Sequence, residues 1–409
     1  MSNSSEIRQT LALPYVKRLL VARFVSSFGN GLSPVALAFG ILHLKNGSSS
    51  ELGFVLATTT IMLIITAPFG GIIADRFGKI RVVGGSDIVG ALFLFVQAAF
   101  FATGHVPLAV LLIVNGTFGM LNGIWWPAFS GIIPALLPEH LIQSGNALKQ
   151  LISNTALIMG SATAGFLVNA YGSALPLTID AITFLIAGLL VFSFRRVTVV
   201  SESASTTVLN DLRGGWKITW SIKWIVVIIT GFAFLVCFWA MGVDVLGPLL
   251  FSHRANGARS WAIILTCESV GLVIGSLVGM RVKPKFPMRF VTILTYTIAI
   301  YLLLLAVDAP VWLIAFGAFG WGVVGDLWAT IWSTALAKSV DRDALSRVSS
   351  YDAIGSLIFR PVGLAIAAPI AALMGIHGAL YIATGGAFLA ITAMLLSSQV
   401  RGMQYPNED

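Results

Sequence analysis

The segment GGIIADRFGKIR, residues 70–81, is a short charged turn between two long apolar runs of the sequence. The runs Leu52 to Ile73 and Val82 to Ala102 are each long enough to cross a bilayer, which takes roughly 17 to 25 apolar residues. The turn is too short to leave the membrane surface, and its glycines permit a tight bend and close helix approach. The segment therefore predicts a helical hairpin that crosses the membrane twice.

Apolar runs of similar length follow one another along the whole chain. Of its 409 residues 57% are hydrophobic and 10% are charged, and its mean hydropathy is +0.91. Because so few polar groups cannot cover a water-soluble globule of this size, we expect lipid to cover much of the surface. The predicted spans are Leu19–Leu42, Leu52–Ile73, Val82–Ala102, Leu108–Phe129, Ile152–Ala170, Ala174–Phe194, Ile225–Leu246, Ala262–Met280, Phe290–Val307, Val311–Ala335, Ile354–Leu373 and Leu380–Leu396. The predicted fold class is all-α integral membrane, with twelve transmembrane helices.

The longest polar interval after the N-terminus, Arg195 to Lys223, separates six predicted spans from six. Its SESAST and VLNDLRGGWKITW segments are typical of a flexible link followed by a short interfacial helix. We therefore expect an N-terminal six-helix half at 1–194, a cytoplasmic linker with an amphipathic helix at 195–223, and a C-terminal six-helix half at 224–409.

A shift of about 203 residues aligns several features of the two halves. The aligned pairs are Gly119 with Gly322, Trp125 with Trp328, Leu137 with Val340, and Gly160 with Gly363. Because the pairs fall in equivalent spans, they indicate a weak parallel duplication. Two pseudo-symmetric halves of this kind are expected to surround a central pathway.

Basic residues are distributed unevenly between the predicted loops. Twenty of the 25 Lys and Arg residues fall on the side of the N-terminus, whereas only Lys45, Arg254 and Arg259 fall on the other side. By the positive-inside rule both termini are predicted to be cytoplasmic. The net charge of +8 thus reflects topology, and no nucleic-acid partner is predicted. The first apolar run is of span length, so we interpret it as a retained span and not as a signal peptide.

The sequence carries no pattern of an enzyme or a metalloprotein. Cys237 and Cys267 lie inside apolar runs, which argues against a disulfide or a metal site. The five histidines lie in or near predicted loops without ligand spacing, and no Walker phosphate-binding motif occurs. We expect no cofactor and no catalytic activity.

The turn at 70–81 resembles the G-x-x-x-D-R-x-G-R/K-x-R/K signature of the major facilitator superfamily. The matching positions are Gly71, Asp75, Arg76, Gly78, Lys79 and Arg81. The segments at 127–148 and 340–355, PAFSGIIPALLPEHLIQSGNAL and VDRDALSRVSSYDAIG, are similar to loops of the macrolide-efflux and enterobactin-exporter branch. The resemblance implies a major facilitator fold. It also implies a monomeric, proton-driven exporter of amphipathic compounds, drug-like or siderophore-like, in the bacterial cytoplasmic membrane.

The motif residues and Asp87 are predicted to gate the cytoplasmic side of the transporter. Asp75 is expected to pair with nearby basic groups or with a helix N-terminus. Asp87 is assigned to the charge cluster of the motif turn and not to the substrate site, with a solvated helix end as the alternative. Arg23 lies close enough to the end of the first span to be a surface anchor.

Four ionisable residues inside predicted spans need a partner, a watery cavity or a task, since each costs at least about 2.5 to 3.5 kcal/mol in hydrocarbon. Glu268, in the middle of its span, is the leading candidate for proton coupling, with a packing role as the alternative. Asp326 and Arg360 are predicted to form an ion pair. Asp180, like Asp244, is expected nearer the outer surface, within reach of water.

The substrate surface is predicted on aromatic and amide side chains of the inner spans. The candidates are Asn30, Asn115, Phe118, Asn122, Trp125 and Trp328. Asn30 and Asn115 depart from the resembled family, because they stand where drug antiporters often carry an acid and an arginine. Two other functions remain open: a facilitator or importer of a small metabolite, and a lipid-handling or non-transporting membrane protein.

Overall fold

A computed structural model describes residues 3–195, 218–279, 281–340 and 342–405. The described ranges are almost entirely helical and contain no strand. The helices are α1 (Asn3–Ala12), α2 (Pro14–Leu42), α3 (Ser49–Phe77), α4 (Lys79–Thr103), α5 (Leu108–Ser130), α6 (Ile132–Leu136), α7 (Glu139–Tyr171), α8 (Ala174–Phe192), α9 (Lys223–Trp239), α10 (Gly247–Ser252), α11 (Gly257–Gly279), α12 (Pro287–Leu294), α13 (Tyr296–Ala306), α14 (Val311–Ser339), α15 (Arg342–Leu357), α16 (Arg360–Leu396) and α17 (Ser398–Arg401). A π-helical segment, Ala240–Leu246, joins α9 to α10. The VLNDLRGGW part of the predicted linker helix lies outside the described residues.

Within these ranges eleven helical stretches are long and apolar enough to cross a membrane. The last, Tyr351–Leu396, has 46 residues, which corresponds to about 69 Å of helix, more than twice the thickness of a bilayer core of about 30 Å. Gly375 interrupts it with φ 76° and ψ 164°, between the predicted spans at 354–373 and 380–396. The predicted all-helical membrane fold is confirmed. The twelfth crossing stays a prediction, which the break at Gly375 supports.

The chain divides into two compact units, residues 1–203 with 251–263 and residues 204–250 with 264–409. In the first unit α3 packs on α5, α4 on α8, and α2 on both α7 and α8. In the second unit α16 packs on α9, on the π-helical segment and on α13. The predicted division into 1–194, 195–223 and 224–409 stays a prediction.

Helices approach each other most closely where a glycine meets the backbone of its neighbour. A side chain at Gly119 of α5 would collide with the carbonyl oxygen of Thr59 in α3. In the second unit a side chain at Gly322 of α14 would collide in the same way with the carbonyl oxygen of Glu268 in α11. Small residues at such contacts let two backbones touch without an intervening side chain.

A second pair of glycines makes equivalent contacts in the two units. Gly160 of α7 lies against the carbonyl oxygen of Phe28 in α2, and Gly363 of α16 lies against that of Cys237 in α9. Gly160 and Gly363, which the shift of 203 residues aligns, therefore make equivalent contacts, each within its own unit. The same holds for Gly119 and Gly322.

The motif turn is as tight as its sequence indicates. Gly78, with φ 89°, ends α3 and immediately precedes α4. Only glycine adopts this region of φ without strain, so the turn can be made in a single residue. Beyond it, Lys79 extends over Gly131, at the C-terminal end of α5.

Adding one methyl group to Gly119 is expected to destabilise the first unit. The methyl of Gly119→Ala would press on the backbone of α3, and overpacking of this kind costs about 1 to 3 kcal/mol. Gly85→Ala is the matched control, because a methyl there meets nothing within 4 Å and alanine is the better helix former. Thermal unfolding of the purified protein in detergent should show a lower midpoint for Gly119→Ala alone. Equal midpoints for the two variants would contradict the assigned contact.

Candidate substrate and proton sites

A cavity of about 280 Å³ lies within the first unit. Its lining residues are Arg23, Ser26 and Asn30 of α2, Ser86 and Asp87 of α4, Phe118, Leu121, Asn122, Trp125 and Trp126 of α5, and Phe184 of α8. The structure thus brings together four predicted substrate residues, namely Asn30, Phe118, Asn122 and Trp125. Flat aromatic walls with a few amide, hydroxyl and charged groups suit an amphipathic organic molecule.

Arg23 is part of this cavity, so its prediction as a surface anchor is wrong. Its Nε donates a hydrogen bond to Ser153 Oγ at 2.9 Å. Its guanidinium carbon lies 5.2 Å from the ring centre of Trp125 and 5.4 Å from that of Phe129, within the range of a cation–π contact. A charged residue inside an apolar span is the sequence signal that could have predicted Arg23 in the cavity lining. The interpretation of Arg23 as an anchor did not use that signal.

Asp87 also lines the cavity, although the sequence placed it with the motif turn. It lies eight residues beyond Lys79, about 12 Å along α4, where its side chain is buried and neighbours Arg23 and Trp125. No ion pair within 4 Å joins Asp87 to Arg23, although both residues are described. Its assignment to the loop cluster is therefore wrong, whereas its gating role stays a prediction.

Two predicted substrate residues lie elsewhere. Asn115 is buried and donates hydrogen bonds to Gln97 Oε1 and to the carbonyl oxygen of Leu111, each at 2.9 Å, so its amide ties α5 to α4. Trp328 belongs to the second unit, where its ring stacks on Phe232 at 4.4 Å and on Trp332 at 5.2 Å.

The motif residues predicted to gate lie at the end of α3, at Gly78 and at the start of α4. Asp75, Arg76 and Arg81 are exposed, and Gly71 has open space around it. The ammonium group of Lys79 lies near the last carbonyl groups of α5, where a cation interacts favourably with the helix dipole. The motif turn therefore contacts α5, which supplies more of the cavity lining than any other helix.

In the second unit Arg360 pairs with Asp244, and the predicted pairing with Asp326 is wrong. Arg360 Nη2 lies 2.9 Å from Asp244 Oδ2. Asp244 belongs to the π-helical segment, against which α16 packs. Asp326 instead lies on α14 beside Ser276 of α11. The error arose because position within a span does not reveal which helix a side chain faces.

Glu268 completes a cluster of ionisable groups around this pair. Its Oε2 is buried without a hydrogen bond, as are the hydroxyl of Tyr301 and Nε of Arg360. Glu268 and Tyr301 both lie within electrostatic range of Asp244. The cluster of Asp244, Glu268 and Arg360 thus holds two carboxylates and one guanidinium.

Asp180 is sealed between α8 and α2, so the prediction that water reaches it is wrong. Only 1% of the residue is exposed, and neither carboxylate oxygen makes a hydrogen bond. Its Oδ1 lies against Gly29 of α2, where a side chain would collide with it. The described ranges hold no group of three His, Cys, Asp or Glu residues suited to a metal ion.

Comparisons with known proteins place this geometry in a transporter family. The family model of the Major Facilitator Superfamily matches residues 19–356. The chain is 25% identical to the multidrug efflux pump Tap of Mycolicibacterium fortuitum over 88% of this chain and 90% of Tap. It is 26% identical to the uncharacterized MFS-type transporter YkuC of Bacillus subtilis over 66% of each chain. It is 25% identical to the quinolone resistance protein NorA of Staphylococcus aureus, strain MRSA252, over 66% of this chain and 69% of NorA.

Solved structures share the fold at low sequence identity. A mutant of the nucleoside transporter NupG superposes with a TM-score of 0.80 at 14% identity, covering 93% of this chain and 99% of NupG. The peptide transporter POT superposes with a TM-score of 0.73 at 13% identity, covering 98% of this chain and 99% of POT. Since the family match extends over most of the sequence, this membrane protein belongs to the Major Facilitator Superfamily.

Proposed function

We propose that this transporter exports hydrophobic or amphipathic small molecules by alternating access, in exchange for protons. The observation that carries the proposal is the cavity of the first unit, whose aromatic walls enclose amide, hydroxyl and charged groups. The relatives Tap and NorA, named for multidrug efflux and for quinolone resistance, favour export of drug-like compounds.

The proposed setting is the bacterial cytoplasmic membrane, with both termini in the cytoplasm and the protein acting as a monomer. The distribution of Lys and Arg between the predicted loops supports this orientation. Residues 1–194 and 224–409 form the two halves, which residues 195–223 connect. The motif turn gates the cytoplasmic side, and the contact of Lys79 with the end of α5 is one route from the turn to the cavity.

Proton coupling is assigned to the second unit, with Glu268 as the group that carries the proton. If Asp244 and Glu268 are both ionised, Arg360 leaves one negative charge unbalanced in the cluster, and a proton on Glu268 removes it. Uncompensated charge at membrane depth costs at least about 2.5 to 3.5 kcal/mol, so proton loss should accompany a change in water access. Asp326 and Asp180 remain the alternative carriers.

Glu268→Gln is expected to abolish uphill transport while sparing substrate binding and exchange. Glutamine mimics the protonated side chain, so the protein can still change state with substrate but releases no proton. The measurement is norfloxacin accumulation in proteoliposomes under an imposed pH gradient, beside norfloxacin counterflow without a gradient. Glu51→Gln, at the first turn of α3, controls for the substitution itself.

Undiminished uphill transport by Glu268→Gln would remove Glu268 from this role and direct the same test to Asp326→Asn and Asp180→Asn. Gradient-independent transport by the unchanged protein would instead favour a facilitator. Absence of any transport or exchange would favour a lipid-handling role.

The pair of Asp244 with Arg360 is expected to be energetically coupled. Removing either charge leaves the other unpaired, which for a buried pair costs about 3 to 5 kcal/mol and somewhat less here, since 31% and 20% of the Arg360 and Asp244 side chains remain exposed. The double variant Asp244→Asn/Arg360→Gln should therefore be more stable than the sum of the single variants implies. Thermal unfolding of all four proteins measures the coupling, and Asp326→Asn with Arg360→Gln is the control pair, expected to be additive. Additive effects at Asp244 and Arg360 would show that the contact contributes nothing.

A further inference from the structure

We propose that the cavity of the first unit binds small planar apolar compounds that carry a carboxylate, with Arg23 as the receptor of that carboxylate. This inference rests on the proposed function, because it names the class of compound that the exporter carries. The guanidinium of Arg23 carries three donor nitrogens. Its Nε is held by Ser153, whereas its two terminal nitrogens make no hydrogen bond or ion pair with the described residues.

The guanidinium is held in place before any ligand arrives. The hydrogen bond that Arg23 Nε donates to Ser153 fixes one edge, and the rings of Trp125 and Phe129 lie against the group. The free end therefore presents two parallel N–H donors, the arrangement that pairs with both oxygens of a carboxylate. Less entropy is lost on binding because the side chain is already ordered.

The charges around the cavity leave an excess of positive charge. Lys149 lies over the ring of Phe129, 5.5 Å from its centre, and interacts electrostatically with Arg23. Asp87 is the one acid in the cavity lining, since Asp180 is sealed between α2 and α8. Even with Asp87 ionised, Arg23, Lys149 and Asp87 together carry one net positive charge. An anionic ligand supplies the missing counter-charge, whereas a cationic ligand adds to the excess.

The corresponding positions of the second unit do not carry this positive charge. At positions 203 residues later, Lys149 corresponds to Asp352 and Ser153 to Ser356. There Asp352 accepts hydrogen bonds from Trp332 Nε1 at 2.7 Å and from Ser356 at 3.0 Å. Trp328 is stacked on the ring of Phe232, whereas the corresponding Trp125 contacts the guanidinium of Arg23.

The remaining lining sets the shape of the compound. Trp125, Trp126, Phe118 and Phe184 offer aromatic faces, and a volume of about 280 Å³ suits a small ring system better than a whole lipid. Asn30, Asn122, Ser26 and Ser86 add polar groups to the lining.

The test uses three probes with one ring system: naphthylacetate, its methyl ester and naphthylethylamine. Equilibrium dialysis against the full-length protein in detergent measures their dissociation constants without any gradient. We expect the acid to bind about tenfold more tightly than the ester or the amine, because only the acid pairs with the guanidinium. Arg23→Gln should remove this preference, and Arg23→Lys, which keeps the charge but loses the paired donors, should retain part of it.

Arg18→Gln, at an exposed position on the same helix, is the matched control and should keep the full preference. The proposal is overturned if the amine binds the unchanged protein as tightly as the acid, if no probe binds, or if Arg18→Gln and Arg23→Gln act alike. It is also overturned if phosphatidylglycerol displaces the acid more effectively than unlabelled acid does. Acid-selective binding without uphill transport would refute proton-driven export and leave this site intact, whereas uphill transport with amine-selective binding would refute the site alone.

Discussion

Close backbone contact between helices is the constraint on which the rest of this structure depends. In lipid there is little gain from burying apolar side chains, since the surrounding chains are equally apolar, so helices associate through close packing and polar contacts. Gly119 and Gly160 bring α5 against α3 and α7 against α2. These contacts hold α2 and α5 where Arg23 and Trp125 line one cavity.

The buried charges divide into those balanced within the fold and those that are not. Asp244 and Arg360 form an ion pair, and Arg23 rests on two aromatic rings. Asp180 and Glu268 have buried carboxylate oxygens without hydrogen-bond partners. In a membrane each such group is costly, which is why the proposals assign the proton to a carboxylate without a hydrogen-bond partner and an anion to the positive charge of Arg23 and Lys149.

The two units keep the same packing and differ in chemistry. Their glycine contacts recur at a spacing of 203 residues, because the helix approach tolerates no side chain in either unit. The side chains that face inward are under no such constraint, and Lys149 and Asp352 carry opposite charges at corresponding positions. Units that share these glycine contacts can thus differ in chemistry, as the proposed substrate cavity of the first unit and the proposed proton-carrying cluster of the second unit do.

The sequence by itself determined the fold class, the family and much of the cavity. Span length, the motif at 70–81 and the clustering of aromatic and amide residues on α5 are local patterns. Phe118, Asn122 and Trp125 of α5 line one cavity, and their contact with substrate stays a prediction. Only the tertiary structure decided the partners of the charges. The position of Arg360 along its span restricts its depth but not the helix that it faces, and rotation about the helix axis depends on packing against neighbours distant in sequence. The pairing of Arg360 with Asp244, and the entry of Arg23 and Asp87 into one cavity, follow from that packing.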